Sequence, residues 1–400
     1  MTREKGLTQS SLKIIVNLDS ISHPLTGIGH FSLNLIEELR NHSKVESLYC
    51  NIGSKLRPCP EKSDLFNLIP NSSEKHQNLF TTLKRWLRRS SILRRIYKAY
   101  KSYLFAKQNR EPQGFIYLET NYILRLFPGT GVPIIYDLSF VRYPEFHIPF
   151  LTQNLNNNLS DTLARASKII TLSNYVKNEI TDYFNVPEER IEVLPPGVNP
   201  DFKPRNSSET SSTLKKYKLP KKYLLCVGTL EPRKNILRLI KAYTLLPVDI
   251  RLSCPLILVG MKGWLNDSLE QELNPLKKKG EIIRLGYVVQ EDLPYLYSGA
   301  HAFAYPSIYE GFGLPVLEAM ASGIPILTSQ KTAMADFAEG AAILVDPLNE
   351  VEMAEGLKRL LLDKPNNASL IRVGLETAKN YSWKIAIEKW VSVLKKIQNS

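Results

Sequence analysis

Residues 304–327, AYPSIYEGFGLPVLEAMASGIPIL, admit few folds. They read as the end of a strand, a glycine loop, a short helix and the start of another strand. Ala302, Phe303, Ala304 and Tyr305 form an apolar run that stops at Pro306, which suits a buried strand. Gly311 and Gly313 let the backbone approach a ligand with no side chain between. The predicted helix spans 314–322, with Pro315 in its first turn, where a missing N–H costs nothing. Gly323 and Pro325 end it, and Ile326 and Leu327 open the next strand. The helix N-terminus offers free N–H groups and a positive dipole end, suited to an anion or a sugar hydroxyl. Glu310 and Glu318 frame the unit with seven residues between them. An isolated glutamate is most often a solvated surface charge. Glu318, however, stands among Val316, Leu317, Ala319 and Met320, where a carboxylate needs a partner, and a ribose diol can supply two hydrogen bonds.

The same alternation of strand and helix runs through the chain. In the N-terminal half, residues 12–18 (LKIIVNL) predict a buried strand, 19–29 a loop ending in TGIG, and 31–39 a helix with Phe31, Leu35, Ile36 and Leu39 on one face. Strand, glycine turn and helix can cradle a phosphate, although a TGIG serves equally as a tight turn. Residues 44–50 suggest a second strand and 53–73 a long loop rich in proline and asparagine. Strands are expected at 114–118, 132–137, 168–172 and 191–194, and helices at 145–166 and 173–184, the latter capped by Ser173. Asp137 falls at a strand's C-terminal end, where open α/β sheets bind ligands. Tyr136 beside it suits either a ligand contact or the core. Pro195, Pro196 and Gly197 open a linker expected to run through 199–213, which divides the chain into domains 1–198 and 199–381.

In the C-terminal half a strand at 223–227 leads into Gly228-Thr229-Leu230-Glu231-Pro232-Arg233-Lys234-Asn235 and a helix at 236–243. Arg233 can bind phosphate oxygens as a fork and Lys234 adds a compact point charge. An exposed basic pair is the commoner meaning of such a dipeptide. Further strands at 255–260, 281–285, 301–305 and 342–345 alternate with helices, one of them at 350–362, as a doubly wound sheet requires. Trp383, Ile387, Trp390 and Leu394 recur at helical spacing within 381–397.

Length and composition bound the function. A chain of 400 residues with 43% apolar content is expected to hold two packed domains. A net charge of +13 favours phosphate-bearing substrates, an anionic membrane face or nucleic acid. Residues 75–110 hold eleven Lys/Arg and no Asp or Glu. Within them Leu93, Ile96, Tyr97, Tyr100 and Leu104 alternate with Arg94, Arg95, Lys98 and Lys101, the pattern of a basic amphipathic helix. It suits docking on anionic lipid, or packing with a solvated basic face; no recognition motif accompanies it, so nucleic acid is not expected. Cys50, Cys59, Cys226 and Cys254 lack metal-type spacing and are expected to be reduced thiols of a cytoplasmic protein. The N-terminus has no apolar run of signal-peptide length, and no stretch approaches the roughly 20 apolar residues that span a bilayer.

The run EGFGLPVLE resembles the two-glutamate motif of the retaining glycosyltransferases of family 4, which have the GT-B fold. The segment 228–235 is similar to that family's second donor motif. YDLSF resembles a histidine-aspartate-leucine-serine segment of a mannosyltransferase-rich branch, with Tyr136 in the histidine's place. The resemblance implies two doubly wound Rossmann-like domains facing across a cleft, the first on the acceptor side. The second would bind the nucleotide-sugar, and a C-terminal helix at 382–400 would cross back to the first domain. It implies that Arg233, Lys234, Glu310 and Asp137 serve catalysis. Gly27, Gly29, Tyr136, Gly228, Tyr287, Val288, Gly311, Phe312, Gly313, Leu314 and Glu318 would line the donor. The expected partners are a nucleotide-diphosphate sugar, best matched by GDP-mannose, and a glycan or lipid-linked oligosaccharide acceptor. An anionic membrane surface would be met through 83–110, placing the chain peripherally on the inner face. No Asp-x-Asp motif or histidine cluster is present, so neither a metal nor another cofactor is expected. The same fold also hosts sugar-nucleotide epimerases, phosphorylases and non-catalytic sugar-nucleotide binders.

Overall fold

The computed structural model describes residues 11–18, 21–23, 25–52, 55–69, 114–147, 149–263 and 267–399. The basic stretch at 83–110 lies outside the described residues. Two sheets organise the chain. The first runs β1 (Leu12–Asn17), β2 (Val45–Ile52), β3 (Lys55–Pro58), β4 (Ile116–Glu119), β5 (Thr130–Ile135), β6 (Ile169–Thr171) and β7 (Ile191–Val193), in the spatial order β3-β2-β1-β4-β5-β6-β7. All its pairings are parallel except that of β3, an antiparallel edge strand. The second comprises β8 (Leu224–Val227), β9 (Leu256–Val259), β10 (Ile282–Gly286), β11 (Ala302–Tyr305), β12 (Ile326–Ser329) and β13 (Ile343–Val345), all parallel, in the order β10-β9-β8-β11-β12-β13. Strands such as β9 and β11 are buried at every position, which is why they read as unbroken apolar runs. The strand order reverses between β1 and β4 in the first sheet and between β8 and β11 in the second. Crevices at the carboxyl ends of the strands open at such reversals.

Three expectations need correction. The helix after β1 is Gly27–Asn41, so Gly27 and Gly29 are its first turn rather than a loop ahead of it. The stretch at 53–73, expected as a loop, holds β3 and a helix at Lys62–Leu68. The polar stretch at 199–213, expected as a linker, contains most of the helix Ser207–Lys216. Asn206 caps that helix and Glu209 returns a hydrogen bond to it, a capping box.

The helix Trp383–Asn399 leaves the second sheet and packs on helix Gly27–Asn41 and on β1 and β4 of the first. Its Trp390 is fully buried, and Phe31 sits 5.9 Å from Trp383 and 6.0 Å from Trp390 between ring centroids. The two chain segments that join the sheets cross where the Val198 N–H donates to the Tyr381 carbonyl at 2.7 Å. A Cβ on Gly197 would fall 2.3 Å from the Trp383 nitrogen, so only glycine lets the backbones pass.

Candidate functional site

The reversal between β8 and β11 brings together Glu231, Arg233, Lys234 and Glu310 in one set of ion pairs. Pro232–Lys234 form a single 3-10 turn after β8, and Asn235 follows in the left-handed region at φ 61°. Asparagine tolerates that conformation better than most residues. Its buried amide donates to the Pro306 carbonyl at 3.0 Å and the Pro347 carbonyl at 2.6 Å, anchoring the turn to the loops after β11 and β13. The Ile308 N–H donates back to the Arg233 carbonyl at 2.9 Å. The two loops therefore hold Arg233, Lys234 and Glu310 at fixed separations.

Glu310 is the hub. Its Oε1 accepts from Lys234 Nζ at 2.6 Å and from the Tyr305 hydroxyl at 3.0 Å, and its Oε2 accepts from Arg233 Nη1 at 3.0 Å. Burial alone would raise its pKa. The Arg233 and Lys234 charges overcome that and pull it down to about 2, so Glu310 is a carboxylate at neutral pH. Arg233 also donates to Glu231 at 2.8 Å and to the Tyr309 carbonyl at 3.1 Å, and Lys234 to Tyr305 at 2.6 Å. These bonds use three of the five guanidinium N–H groups and two of the three ammonium ones. Two guanidinium N–H groups and one ammonium N–H remain without a partner among the described residues.

Gly311 and Gly313 follow. A Cβ on Gly311 would stand 1.8 Å from the Tyr136 carbonyl oxygen and 2.8 Å from the Asp137 Cβ, so this loop lies directly on the loop after β5. Gly313 has φ 104° and opens the helix Leu314–Ala321. Asp137 thus borders the cluster, and its charge reaches Arg233. Its Oδ1 accepts from the Ser139 N–H at 3.0 Å and hydroxyl at 2.8 Å, which fixes its orientation.

Glu318 lies in the helix Leu314–Ala321, partly buried and beside the Tyr297 hydroxyl, which comes near without reaching hydrogen-bond geometry. Burial pushes its pKa up to about 7, and that hydroxyl draws it only partway back. Such a carboxylate favours a ligand that donates hydrogen bonds.

The other expected residues divide by where their side chains go. Gly228 sits at the carboxyl end of β8 with Lys234 and Tyr305 alongside. Tyr287 is 53% exposed after β10 and presents its ring to solvent, whereas Val288 is buried. Phe312 stacks on Phe337 at 5.1 Å in the core, so only its backbone borders the site; Leu314 is partly buried against the same core. Gly27 faces open space, and Gly29 packs against Leu25 and Ile21. Tyr136 is a core aromatic: its hydroxyl donates to the Thr120 carbonyl at 3.2 Å, and its ring meets Phe31 and Tyr122 at 5.6 and 5.8 Å. A donor contact through that hydroxyl is therefore not what this arrangement offers.

The sequence reading passed over Glu231, Tyr305, Tyr309 and His147. The first three stand within the motifs, one to five residues from a charge already singled out. His147 closes the 3-10 turn Pro144–Phe146, with its N–H bonded to the Pro144 carbonyl and its Nε2 buried without a partner among the described residues. Burial lowers its pKa, with Asp137 and Arg233 acting on it in opposite senses. Among the described residues no group of three His, Cys, Asp or Glu is placed to hold a metal ion. No helix there is long and apolar enough to cross a membrane.

Comparison with known proteins places this geometry. Residues 210–376 match the family model for group 1 glycosyl transferases, and residues 130–202 match that for glycosyltransferase family 4. The chain is 35% identical over 387 residues to O-antigen chain mannosyltransferase B of Escherichia coli, an alignment spanning 96% of this chain and 100% of the relative. The chain belongs to the group 1/family 4 glycosyltransferases. A second member, O-antigen chain mannosyltransferase RfbU of Salmonella typhimurium, is 26% identical, with 87% of this chain and 90% of the relative covered. Among solved structures the Anabaena protein HepE superposes with a TM-score of 0.69 at 17% identity, covering 96% of this chain and 98% of its own. WaaG, a glycosyltransferase involved in lipopolysaccharide biosynthesis, superposes at 0.66 and 17%, covering 95% and 99%. These neighbours carry the GT-B fold of the family, with its two Rossmann-like domains.

Proposed function

We propose that this glycosyltransferase moves mannose from GDP-mannose onto a growing lipid-linked O-antigen or related cell-surface glycan, with retention at the anomeric carbon. The observation that carries the reading is the cluster of Arg233, Lys234 and Glu310 at the strand-order reversal of the second sheet. Its unused N–H donors suit a diphosphate. The ionised Glu310 suits the sugar hydroxyls, and Glu318 suits a ribose diol. The relatives' names support mannose and O-antigen. HepE, solved with UDP and glucose, supports a nucleotide and a sugar in a fold of this kind.

The chemistry follows from the charges. An acceptor hydroxyl oxygen bonds to the anomeric carbon on the face the diphosphate leaves, the bond from that carbon to phosphate oxygen breaks, and the acceptor's proton passes to the departing phosphate oxygen. Arg233 and Lys234 meet the negative charge that grows on the leaving group. Fixed donors of this sort need no reorganisation as the charge develops. Asp137, held by Ser139, borders the acceptor side, and the basic sequence of 83–110 suits attraction to an anionic bilayer on the cytoplasmic face.

The experiment is a donor panel: GDP-, UDP- and ADP-sugars incubated with a lipid-linked mannan primer, with products resolved by mass and anomeric configuration. The reading expects an α-linked mannose added from GDP-mannose and GDP released only when acceptor is present. Sugar nucleotide isomerised without acceptor would assign the cluster to an epimerase instead.

A further inference from the structure

Tyr309 adjoins Glu310 in the same loop, yet its ring leaves the second domain altogether. It is fully buried, 5.7 Å from the Tyr143 ring and 6.0 Å from the Tyr175 ring, both from the first domain. Its hydroxyl accepts from the Leu138 N–H at 2.9 Å and donates to the Glu179 carboxylate. Glu179 in turn accepts from Arg142 Nη1 at 2.7 Å, and that same nitrogen donates to the Tyr175 hydroxyl at 3.1 Å. Both hydrogen-bonding functions of the phenol are therefore filled by the opposite domain. Burial, with the Asp137 and Glu179 charges beside it, holds the phenol protonated.

The backbone of the same residue belongs to the other side. Its carbonyl accepts from Arg233 at 3.1 Å. Two residues on, the Gly311 carbonyl accepts from Ser173 Oγ at 2.7 Å. One short loop is thus bound to the first domain by a side chain and a carbonyl, and to the charged cluster by a peptide group and a carboxylate.

We propose that Tyr309 is a positioning residue for sugar transfer. Seating its ring in the Tyr143–Tyr175 socket fixes Glu310 and Arg233 relative to the acceptor side. The proposal rests on the transferase reading of the cluster. Transfer joins a donor held by one domain to an acceptor held by the other, so a small error in seating acts on the rate of the joined reaction. Binding of the nucleotide alone, which needs Arg233 and Lys234, is insensitive to it.

Tyr309→Phe tests this, because it keeps the ring and removes only the hydroxyl. The expected result is a fall in kcat of at least about tenfold with the donor KM and the nucleoside diphosphate Kd within about twofold of wild type. Thermal unfolding falls modestly, because the buried Leu138 N–H and Glu179 lose a partner, and amide exchange in the loop carrying Tyr309 speeds up in the ligand-free protein. In Glu179→Gln the amide oxygen still accepts from the phenol, so a smaller loss is expected, and the double variant is no worse than Tyr309→Phe within about twofold. An unchanged kcat, or losses in the two variants that multiply, overturns the proposal. So does a Tyr309→Phe whose turnover and nucleotide affinity are lost in the same proportion. A wild-type protein that binds nucleotide but transfers no sugar sinks the transferase reading instead. Amide exchange still decides the seating in that case, and unchanged exchange of the Tyr309 loop in Tyr309→Phe refutes it.

Discussion

Lys234 Nζ stands 2.6 Å from Glu310 Oε1 across a sequence separation of 76 residues. The pair closes the two loops that follow β8 and β11. Removing the cation leaves Glu310 to Arg233 and Tyr305 and takes one positive charge from the cluster proposed to meet the leaving group. Charge-assisted bonds contribute roughly 1.5–3 kcal/mol each, so Lys234→Met should lower kcat/KM by at least about tenfold. Steady-state kinetics with the preferred donor check this, and a variant as active as wild type removes Lys234 from the reaction.

Glu310→Gln separates attraction for phosphate from handling of the sugar. The substitution deletes one of the carboxylates that neutralise Arg233 and Lys234. Affinity for the nucleoside diphosphate should therefore hold or rise, while sugar transfer falls by about a hundredfold. Calorimetry and turnover on the same preparation give both numbers. Parallel losses in the two would mean that Glu310 is structural.

The two raised carboxyls carry a pH signature. Glu318 and Glu119 are each pushed by burial to about 7 from an ordinary 4.5. An acid whose pKa rises on folding binds its proton more tightly in the folded chain. Its contribution to stability is fully present below about 4.5 and is lost as the pH rises through about 7. Unfolding temperature should therefore decline from pH 6 to pH 8, about one unit either side of the pKa, and by less in Glu318→Gln. Binding is expected to run the opposite way, because the ribose diol proposed as the partner of Glu318 would donate to the ionised carboxylate. Nucleotide-sugar affinity should climb over the same interval, and a wild-type profile as flat as that of Glu318→Gln would remove the ribose from Glu318.

Gly311→Ala places a methyl where the Tyr136 carbonyl oxygen lies 1.8 Å away. The obstacle is backbone from the other domain, so the domains must separate for the variant to fold. Turnover should drop by about a hundredfold with nucleotide affinity nearly intact. A crystal structure of the variant with unchanged domain spacing would contradict this account of Gly311.

Much of the second sheet was legible because its strands are buried on both faces and its helices are amphipathic. The helix Glu350–Leu362 and the Ser173 cap, whose Oγ accepts from the Val176 N–H, follow directly from local rules. The helix Ser207–Lys216 was hidden by its serines and threonines, although Asn206 and Glu209 carried its capping signature. Arg233, Lys234 and Glu310 were legible as motif residues, but their mutual bonds depend on the order in which β8 and β11 pair. Tyr136 illustrates the limit from the other side: a polar aromatic at a strand end carries no mark telling whether it faces a ligand or, as here, Thr120 and Phe31. Tyr309 was invisible for the same reason, since its partners come from 130 to 171 residues away.

The most direct measurement is calorimetric titration of GDP, UDP and ADP and their sugars into wild type and Arg233→Ala. The account predicts that one nucleotide class binds wild type, and that its affinity falls at least about tenfold when the guanidinium is removed. Equal affinity in the two proteins, or binding of none of the six classes of ligand to wild type, would contradict it.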